Sequence, residues 1–252
     1  MNKITPTPAR QDDLSEMRCD LAATFRWFAR IGMHESVANH FSLAMDAGGE
    51  TFLMNPRGRH FSRVRASDLL LLDAHDKTAL ARDNAPDPTA WFIHSAIHRR
   101  LPHARCVMHL HPKYATALAA LADSTMLPID QNTMRFFNRV AIDDGFGGMA
   151  LSSQEGDRLA KLMGSKTVLL MGNHGVLIAA PTVAEAFDTM YYYERACETL
   201  ITAMSSGRPL RVASDAIAEQ KAREWEDYGQ LGIDHLREIK TILDATEPDY
   251  RD

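Results

Sequence analysis

The chain has 252 residues, enough for one large domain or two small ones, and its 45% hydrophobic and 24% charged residues are an ordinary globular balance. Lys and Arg number 28 against 33 Asp and Glu, a net charge of -5, which excludes a whole-chain basic footprint for nucleic acid. No stretch approaches the ~18 uncharged apolar residues of a membrane span, and the polar N-terminal stretch lacks the apolar centre of a secretory signal. A cytoplasmic protein without nucleic-acid or membrane partners is the expectation. Cys19, Cys106 and Cys197 are far apart and odd in number, so no disulfide framework or CxxC metal site is indicated.

Residues 1–12, with Pro6 and Pro8 among polar side chains, read as a flexible arm. From Asp13 to Ile31, Leu14, Met17, Leu21, Phe25 and Phe28 recur at helical spacing, and Gly32 can end the helix. The runs FSLAM and TFLMN flank Asp46-Ala47-Gly48-Gly49, which predicts a hairpin over roughly 40–55. DLLLLDAHDK predicts a buried strand and a turn. Thr89 is the expected N-cap of the amphipathic helix AWFIHSAIHRRL. CVMHLH predicts a strand entering the helix KYATALAALA, and LPIDQ a loop or strand. SSQEGDRLAKLMG reads as a helix capped by Ser152 or Ser153. TVLLMGNHGVLIAA predicts two strands around the turn Gly172-Asn173-His174-Gly175, and Thr182 caps a long helix beyond it. Past Pro209 the composition turns polar, and 214–252 predicts one or two exposed or docking helices. Short strands interleaved with helices indicate an α/β or α+β class. The simplest division is one three-layer domain over 13–208 with a C-terminal helical tail over 209–252.

Two groups of histidines bear on chemistry. His109 and His111 occupy i and i+2 of a predicted strand and so project from one face, offering two nitrogens to one divalent ion, with Leu110 turned to the opposite layer. His174 sits on a glycine-flanked turn, where a sharp bend exposes the imidazole at a strand end. Three neutral imidazoles leave coordination positions open, as a catalytic metal site requires. The plainer alternative for each is a hydrogen-bonded structural histidine. His94 and His98, one helical turn apart, are expected to be partly buried hydrogen-bonders. Of Tyr191, Tyr192 and Tyr193 only some can face the core, and Glu194 and Glu198 read as surface or interface charges.

The segments ANHFSL, LMNPRGRHF, PTAWFIHSAIHRRLPHARCVMHLHPKYATALA and VLLMGNHGVLIAAPTVAEAF occur in that order between Asn39 and Met204. In this combination the chain resembles the class II aldolase/adducin family. The resemblance implies a single three-layer α/β/α domain with a central, mostly antiparallel sheet. It implies a divalent metal on His109, His111 and His174, typically zinc, alternatively manganese or another divalent ion. The activity implied is that of a divalent-metal-dependent carbon–carbon lyase, aldolase-like or decarboxylase, acting on a small anionic hydroxy or carbonyl substrate. The family's catalytic glutamate falls on Ala90, and a methyl group can neither give nor take a proton. Its anion site falls on Asn39, Arg57-Gly58 and Pro88-Thr89. Asn39, Gly58 and Thr89 keep that capacity, Pro88 removes a hydroxyl and a backbone donor, and Arg57 adds a planar fork suited to carboxylate or phosphate. His34, His40 and His60 flank these loops, and His40 or His60 is an alternative proton donor.

Family resemblance further implies a homotetramer or other homo-oligomer with active sites near subunit boundaries. In the tail, Ile217, Trp225, Leu231, Leu236 and Ile239 lie at helical spacing as docking anchors. Tyr228 and Tyr250 are candidate proton donors toward a neighbouring subunit. Some family members decarboxylate hydroxylated aromatic acids, which suits the lost acid, because departing carbon dioxide itself leaves the electron-rich centre. The competing expectation is a non-catalytic, adducin-like protein-binding module of cytoskeletal type, which gives no reason for three metal-type histidines.

Overall fold

The computed structural model describes residues 11–76, 78–145 and 151–252. Most of the arm expected over 1–12 lies outside the described residues; α1 (Gln11–Arg30) already begins within it. The strands are β1 (His40–Ala44), β2 (Thr51–Met54), β3 (Leu70–Asp73), β4 (Cys106–Leu110), β5 (Val140–Asp143), β6 (Val168–Met171) and β7 (Gly175–Ala180). They form one sheet in the order β3-β2-β1-β4-β7-β6-β5, every neighbouring pair antiparallel except the parallel β5–β6. The helices are α2 (Pro88–Arg100), α3 (Lys113–Ala119), α4 (Gln131–Arg135), α5 (Ser153–Met163), α6 (Val183–Ser205), α7 (Asp215–Asp227) and α8 (Gln230–Thr246). The result is the three-layer α/β/α domain with a mostly antiparallel sheet that the sequence led us to expect.

Strand alternation assigns side chains to the two layers. On one face Phe41, Leu43, Met108, Leu110, Val176 and Ile178 pack with Leu21, Phe25 and Phe28 of α1 and Phe187, Met190 and Tyr193 of α6. On the other, Val107, Leu177 and Ala179 meet Ile93 and Ile97 of α2 and Leu159 and Met163 of α5. Gly156 makes that second layer thin: a Cβ there would stand 2.2 Å from the Phe92 carbonyl oxygen, so α5 lies directly on α2. His40 pairs with His109 in the β1–β4 register, which brings both imidazoles to the α2 face.

Several local expectations are corrected. Asp87, not Thr89, caps α2: Pro88 takes the first helical position, and the Asp87 carboxylate accepts from the backbone amides of Thr89 and Ala90. β3 is an edge strand rather than a buried one, with Leu71 48% exposed. Of the two alternatives expected for LPIDQ the loop is found, its Asp130 capping the short α4, whereas β5 was not anticipated at all. Ser152 caps α5 and Thr182 caps α6, as expected.

The tail is helical and packs on the body of the same chain. Leu236 and Ile239 join the main core, Leu243 packs with Cys19, Ala22 and Ala23, and Ile217 stays exposed. Arg139 pins α7 through Glu219 and Glu226 at 2.5 and 2.9 Å, and the Trp225 indole N–H donates to the Gln131 carbonyl. Among the described residues no helix is long and apolar enough to cross a membrane. All three cysteines are buried and free.

Glu194 is not the surface charge its position on a long helix suggested. It is buried, and its carboxylate accepts from the amides of Tyr114 and Ala115 at 2.9 and 2.8 Å, closing the start of α3. Burial outweighs those two donors and pushes its carboxyl up to about 7. A carboxyl raised on folding favours the folded state most below its unfolded value, and that contribution fades as pH rises through about 7. Replacing Glu194 by Gln removes this titration. The Tm of Glu194→Gln relative to wild type is expected to climb between pH 5 and 8; a constant difference across that range would contradict the assignment.

Candidate metal centre

The centre is assembled where β4 ends beside the β6–β7 turn. His109 lies within β4 and is 2% exposed; His111 follows the strand, and His174 occupies the turn. The ring centroid of His174 is 4.8 Å from that of His109 and 4.7 Å from that of His111. One nitrogen from each of the three lies within 4.8 Å of the others. The turn reaches this geometry through Asn173, whose φ of 54° is in the left-handed region. Gly175 is needed for space: a Cβ there would meet His111 Cδ2 at 2.5 Å and the Leu110 carbonyl at 2.7 Å.

The outer nitrogens decide the protonation of the inner ones. His109 Nδ1 is 3.0 Å from the Val176 carbonyl oxygen, which can only accept, so Nδ1 carries the hydrogen. His111 Nδ1 is 2.6 Å from a Glu35 carboxylate oxygen and donates to it in the same way. Burial, reinforced by the neighbouring imidazoles, holds His109 well below the ordinary histidine pKa and His174 down to about 4, so both favour the neutral form. With both Nδ1 atoms turned to acceptors, Nε2 of His109 and Nε2 of His111 face each other 2.8 Å apart. Two nitrogens this close are joined either by a shared proton or by a metal ion, and His174 brings a third nitrogen to the same point. The three residues fit a divalent metal: His109, His111 and His174 could each give it one nitrogen, with Glu35 and the Val176 carbonyl orienting two of the rings.

The structure brings some expected site residues here and leaves others elsewhere. Asn39 is 1% exposed; its Oδ1 accepts from the Glu35 amide at 2.7 Å, and its Nδ2 is buried without a partner. Asn55 braces it, Nδ2 donating to the Asn39 carbonyl. His40 lies with its ring stacked on His109, centroids 4.8 Å apart, and its Nδ1 2.8 Å from His94 Nε2. Burial lowers His40 to about 4, although the Asp87 carboxylate opposes the shift. His60 instead pairs with His34, Nε2 to Nε2 at 3.0 Å, and with Ser62. Arg57 is exposed on its loop, and Gly58 has φ +77° with open space around it. Thr89 donates both its amide and its hydroxyl to Asp87. Ala90 is fully buried among Phe52, Met54, Leu70, Leu72 and Trp91. Tyr228 is 63% exposed beside Trp225, whereas Tyr250 is buried against α1 with its hydroxyl donating to Asp244 at 2.8 Å. Among the described residues neither tyrosine contacts His109, His111 or His174 of the same chain. His94 and His98 are indeed hydrogen-bonders, but wholly buried ones. Glu35 was not foreseen, because a lone glutamate in the loop GMHES carries no periodic or spacing signal.

This arrangement of fold and histidines has counterparts among known proteins. A sequence model described as the Class II Aldolase and Adducin N-terminal domain matches residues 19–201. The chain belongs to the class II aldolase/adducin family. A Caulobacter vibrioides protein whose name assigns it provisionally to the class 2 aldolases is 30% identical over 253 residues, 98% of each chain. The decarboxylase NovR of Streptomyces niveus is 26% identical over 229 residues, 90% of this chain and 84% of NovR. The crystal structure of an aldolase II superfamily protein from Pseudomonas syringae superposes with a TM-score of 0.85 at 28% identity, covering 99% of this chain and 98% of that one.

Glu35 orients His111 from an exposed loop, so removing it should weaken the metal and spare the fold. Glu35→Ala is expected to raise the zinc Kd about 10- to 100-fold with an unchanged metal-free Tm. Gly175→Ala should displace the His111 ring and cost at least as much affinity. Zinc titrations that match wild type in both variants would contradict the arrangement.

Proposed function

We propose that the protein is a divalent-metal-dependent carbon–carbon lyase, aldolase-like or decarboxylase, acting on a small anionic hydroxy or carbonyl substrate. The observation that carries this reading is the convergence of one nitrogen each from His109, His111 and His174 within 4.8 Å in a chain of the class II aldolase/adducin family. A divalent ion there, zinc or alternatively manganese, would supply Lewis-acid polarisation of a substrate oxygen. Around it, Asn39 Nδ2 is a buried donor without a partner, suited to an anionic oxygen. Arg57 offers a fork to a carboxylate or phosphate, and Gly58 leaves room for it. Thr89 is a weaker anion ligand than its position implies, since Asp87 already takes its amide and hydroxyl.

Ala90 favours the decarboxylase within this class. Set in an apolar cluster, it supplies no proton relay, and loss of carbon dioxide needs no prior removal of a proton. The likeness to a protein named as a decarboxylase agrees with this choice. Protonation of the product then falls to His40, the candidate donor in contact with the metal histidines, which can pass on only a proton that its Nε2 has first taken from a substrate hydroxyl. His60, Tyr228 and Tyr250 could serve only from another conformation or a neighbouring subunit. We further propose a cytoplasmic homo-oligomer, a homotetramer by family analogy, in which 13–208 forms the catalytic domain and 209–252 the tail.

Purified protein should contain close to one divalent ion per chain. It should release carbon dioxide from a member of a hydroxy-acid panel that includes hydroxylated aromatic acids. Chelation, or His109→Ala, should abolish that release, and zinc or manganese should restore it to the chelated wild type. Cleavage of sugar phosphates instead would shift the reading to an aldolase. A metal-free protein indifferent to chelator would overturn it in favour of an adducin-like binding module. Light scattering is expected to give a mass well above the 28.1 kDa of one chain; a 28.1 kDa particle would overturn the oligomer.

A further inference from the structure

Behind the metal histidines, β1 and α2 face each other with matching side-chain steps. His40 and Ser42 are i and i+2 on β1, about 6.6 Å apart along the strand, and His94 and His98 are i and i+4 on α2, about 6 Å apart along the helix. All four are buried. They form one unbranched hydrogen-bonded chain. His40 Nδ1 lies 2.8 Å from His94 Nε2, and His94 Nδ1 2.5 Å from Ser42 Oγ. Ser42 Oγ lies 2.7 Å from His98 Nε2, and His98 Nδ1 2.6 Å from the Ala104 carbonyl oxygen.

We infer that Ser42, His94 and His98 are positioning residues that fix the hydrogen of His40 on Nδ1, so that Nε2 faces the metal centre's substrate as a hydrogen-bond acceptor for a hydroxyl group. The direction follows from the far end of the chain. The Ala104 carbonyl only accepts, so His98 Nδ1 bears a hydrogen and His98 Nε2, in a neutral ring, a lone pair. Ser42 has a single hydrogen, which it gives to His98, and therefore accepts from His94 Nδ1–H. His94 Nε2 is then a lone pair and accepts from His40 Nδ1–H. No link can be reversed without leaving two hydrogens or two lone pairs face to face in a buried site, a mismatch costing a hydrogen bond and its desolvation. Burial keeps the rings neutral, lowering His98 to about 4 and His94 well below the ordinary value. His40 Nε2 has no hydrogen-bond partner among the described residues, and its ring lies on that of His109.

The substrate class is thereby narrowed, within the lyase reading on which this step rests, to acids carrying a hydroxyl near the group that meets the metal. A carboxylate or phosphate oxygen set against His40 Nε2 would place lone pair against lone pair. A hydroxyl would donate to it.

Nitrogen-15 NMR of histidine-labelled, metal-free protein reads the ring hydrogens directly, with the His40 signals assigned by their loss in His40→Gln. Wild type should show His40 Nδ1 protonated and Nε2 bare. Ser42→Ala, which removes one hydroxyl, should leave His40 averaging between tautomers while His109 keeps its hydrogen on Nδ1. In zinc-loaded protein, calorimetry with glycolate and acetate should show glycolate binding about five- to tenfold tighter, a preference that shrinks below about twofold in Ser42→Ala. A protonated His40 Nε2 in wild type, unchanged His40 signals in Ser42→Ala, or equal glycolate and acetate affinities would each overturn the inference. Failure to bind zinc would instead remove the lyase reading and leave the tautomer measurement standing.

Discussion

Two imidazole rings that both turn Nδ1 to an acceptor bring their Nε2 atoms 2.8 Å apart only where a proton or a metal ion joins them, and this constraint on His109 and His111 organises the whole centre. It exists because each ring is held from behind. The Val176 carbonyl takes the Nδ1 hydrogen of His109 and the Glu35 carboxylate that of His111, so neither ring can relieve the contact by exchanging tautomer. Gly175 removes the methyl group that would otherwise push His111 away. His174 is delivered by the same turn, its ring less than 5 Å from both others.

The sheet supplies the rigidity this arrangement needs. β4 is its central strand, hydrogen-bonded on both sides, and its alternation sends Met108 and Leu110 into one core while Val107 and His109 face the other layer. Mounting His109 and His111 at the end of a buried strand limits their motion more than a surface loop would. Glu35 and Asn39, by contrast, come from the loop before β1. There Ser36 adopts a left-handed φ of 52°, an uncommon conformation that the hydrogen bond from the Glu35 amide to Asn39 helps to hold.

Much of this was legible in the sequence, for physical reasons that also explain the gaps. The period of two puts His109 and His111 on one face whatever the tertiary structure, and Ser152 and Thr182 cap helices through local bonds alone. Thr89 misled because Asp87 two residues earlier is an equally good cap, and only Pro88, suited to the first helical position, decides between them. β5 is a four-residue run on a partly exposed edge, too short to show a period. Glu35 and Asn55 act through partners distant in sequence, and no local pattern marks them. The same holds for the buried chain behind His40: the spacings of His40 with Ser42 and His94 with His98 were visible, but their meeting depends on how α2 packs against β1. Glu194 illustrates the reverse error, a charged residue on a helix that turns inward to close α3.

The family relationship and the site diverge at Ala90, where an acid would be expected and an apolar cluster is found. What remains is a set of three imidazoles that could hold a metal, and that set is open to direct inspection. X-ray absorption at the zinc edge of the zinc-loaded protein would show whether the ion sits on the three imidazoles. The predicted result is a first shell of three nitrogen scatterers at about 2.0–2.1 Å, with the multiple-scattering pattern of imidazole. A shell of oxygen atoms without imidazole scattering, or zinc that washes away at stoichiometric loading, would contradict the account.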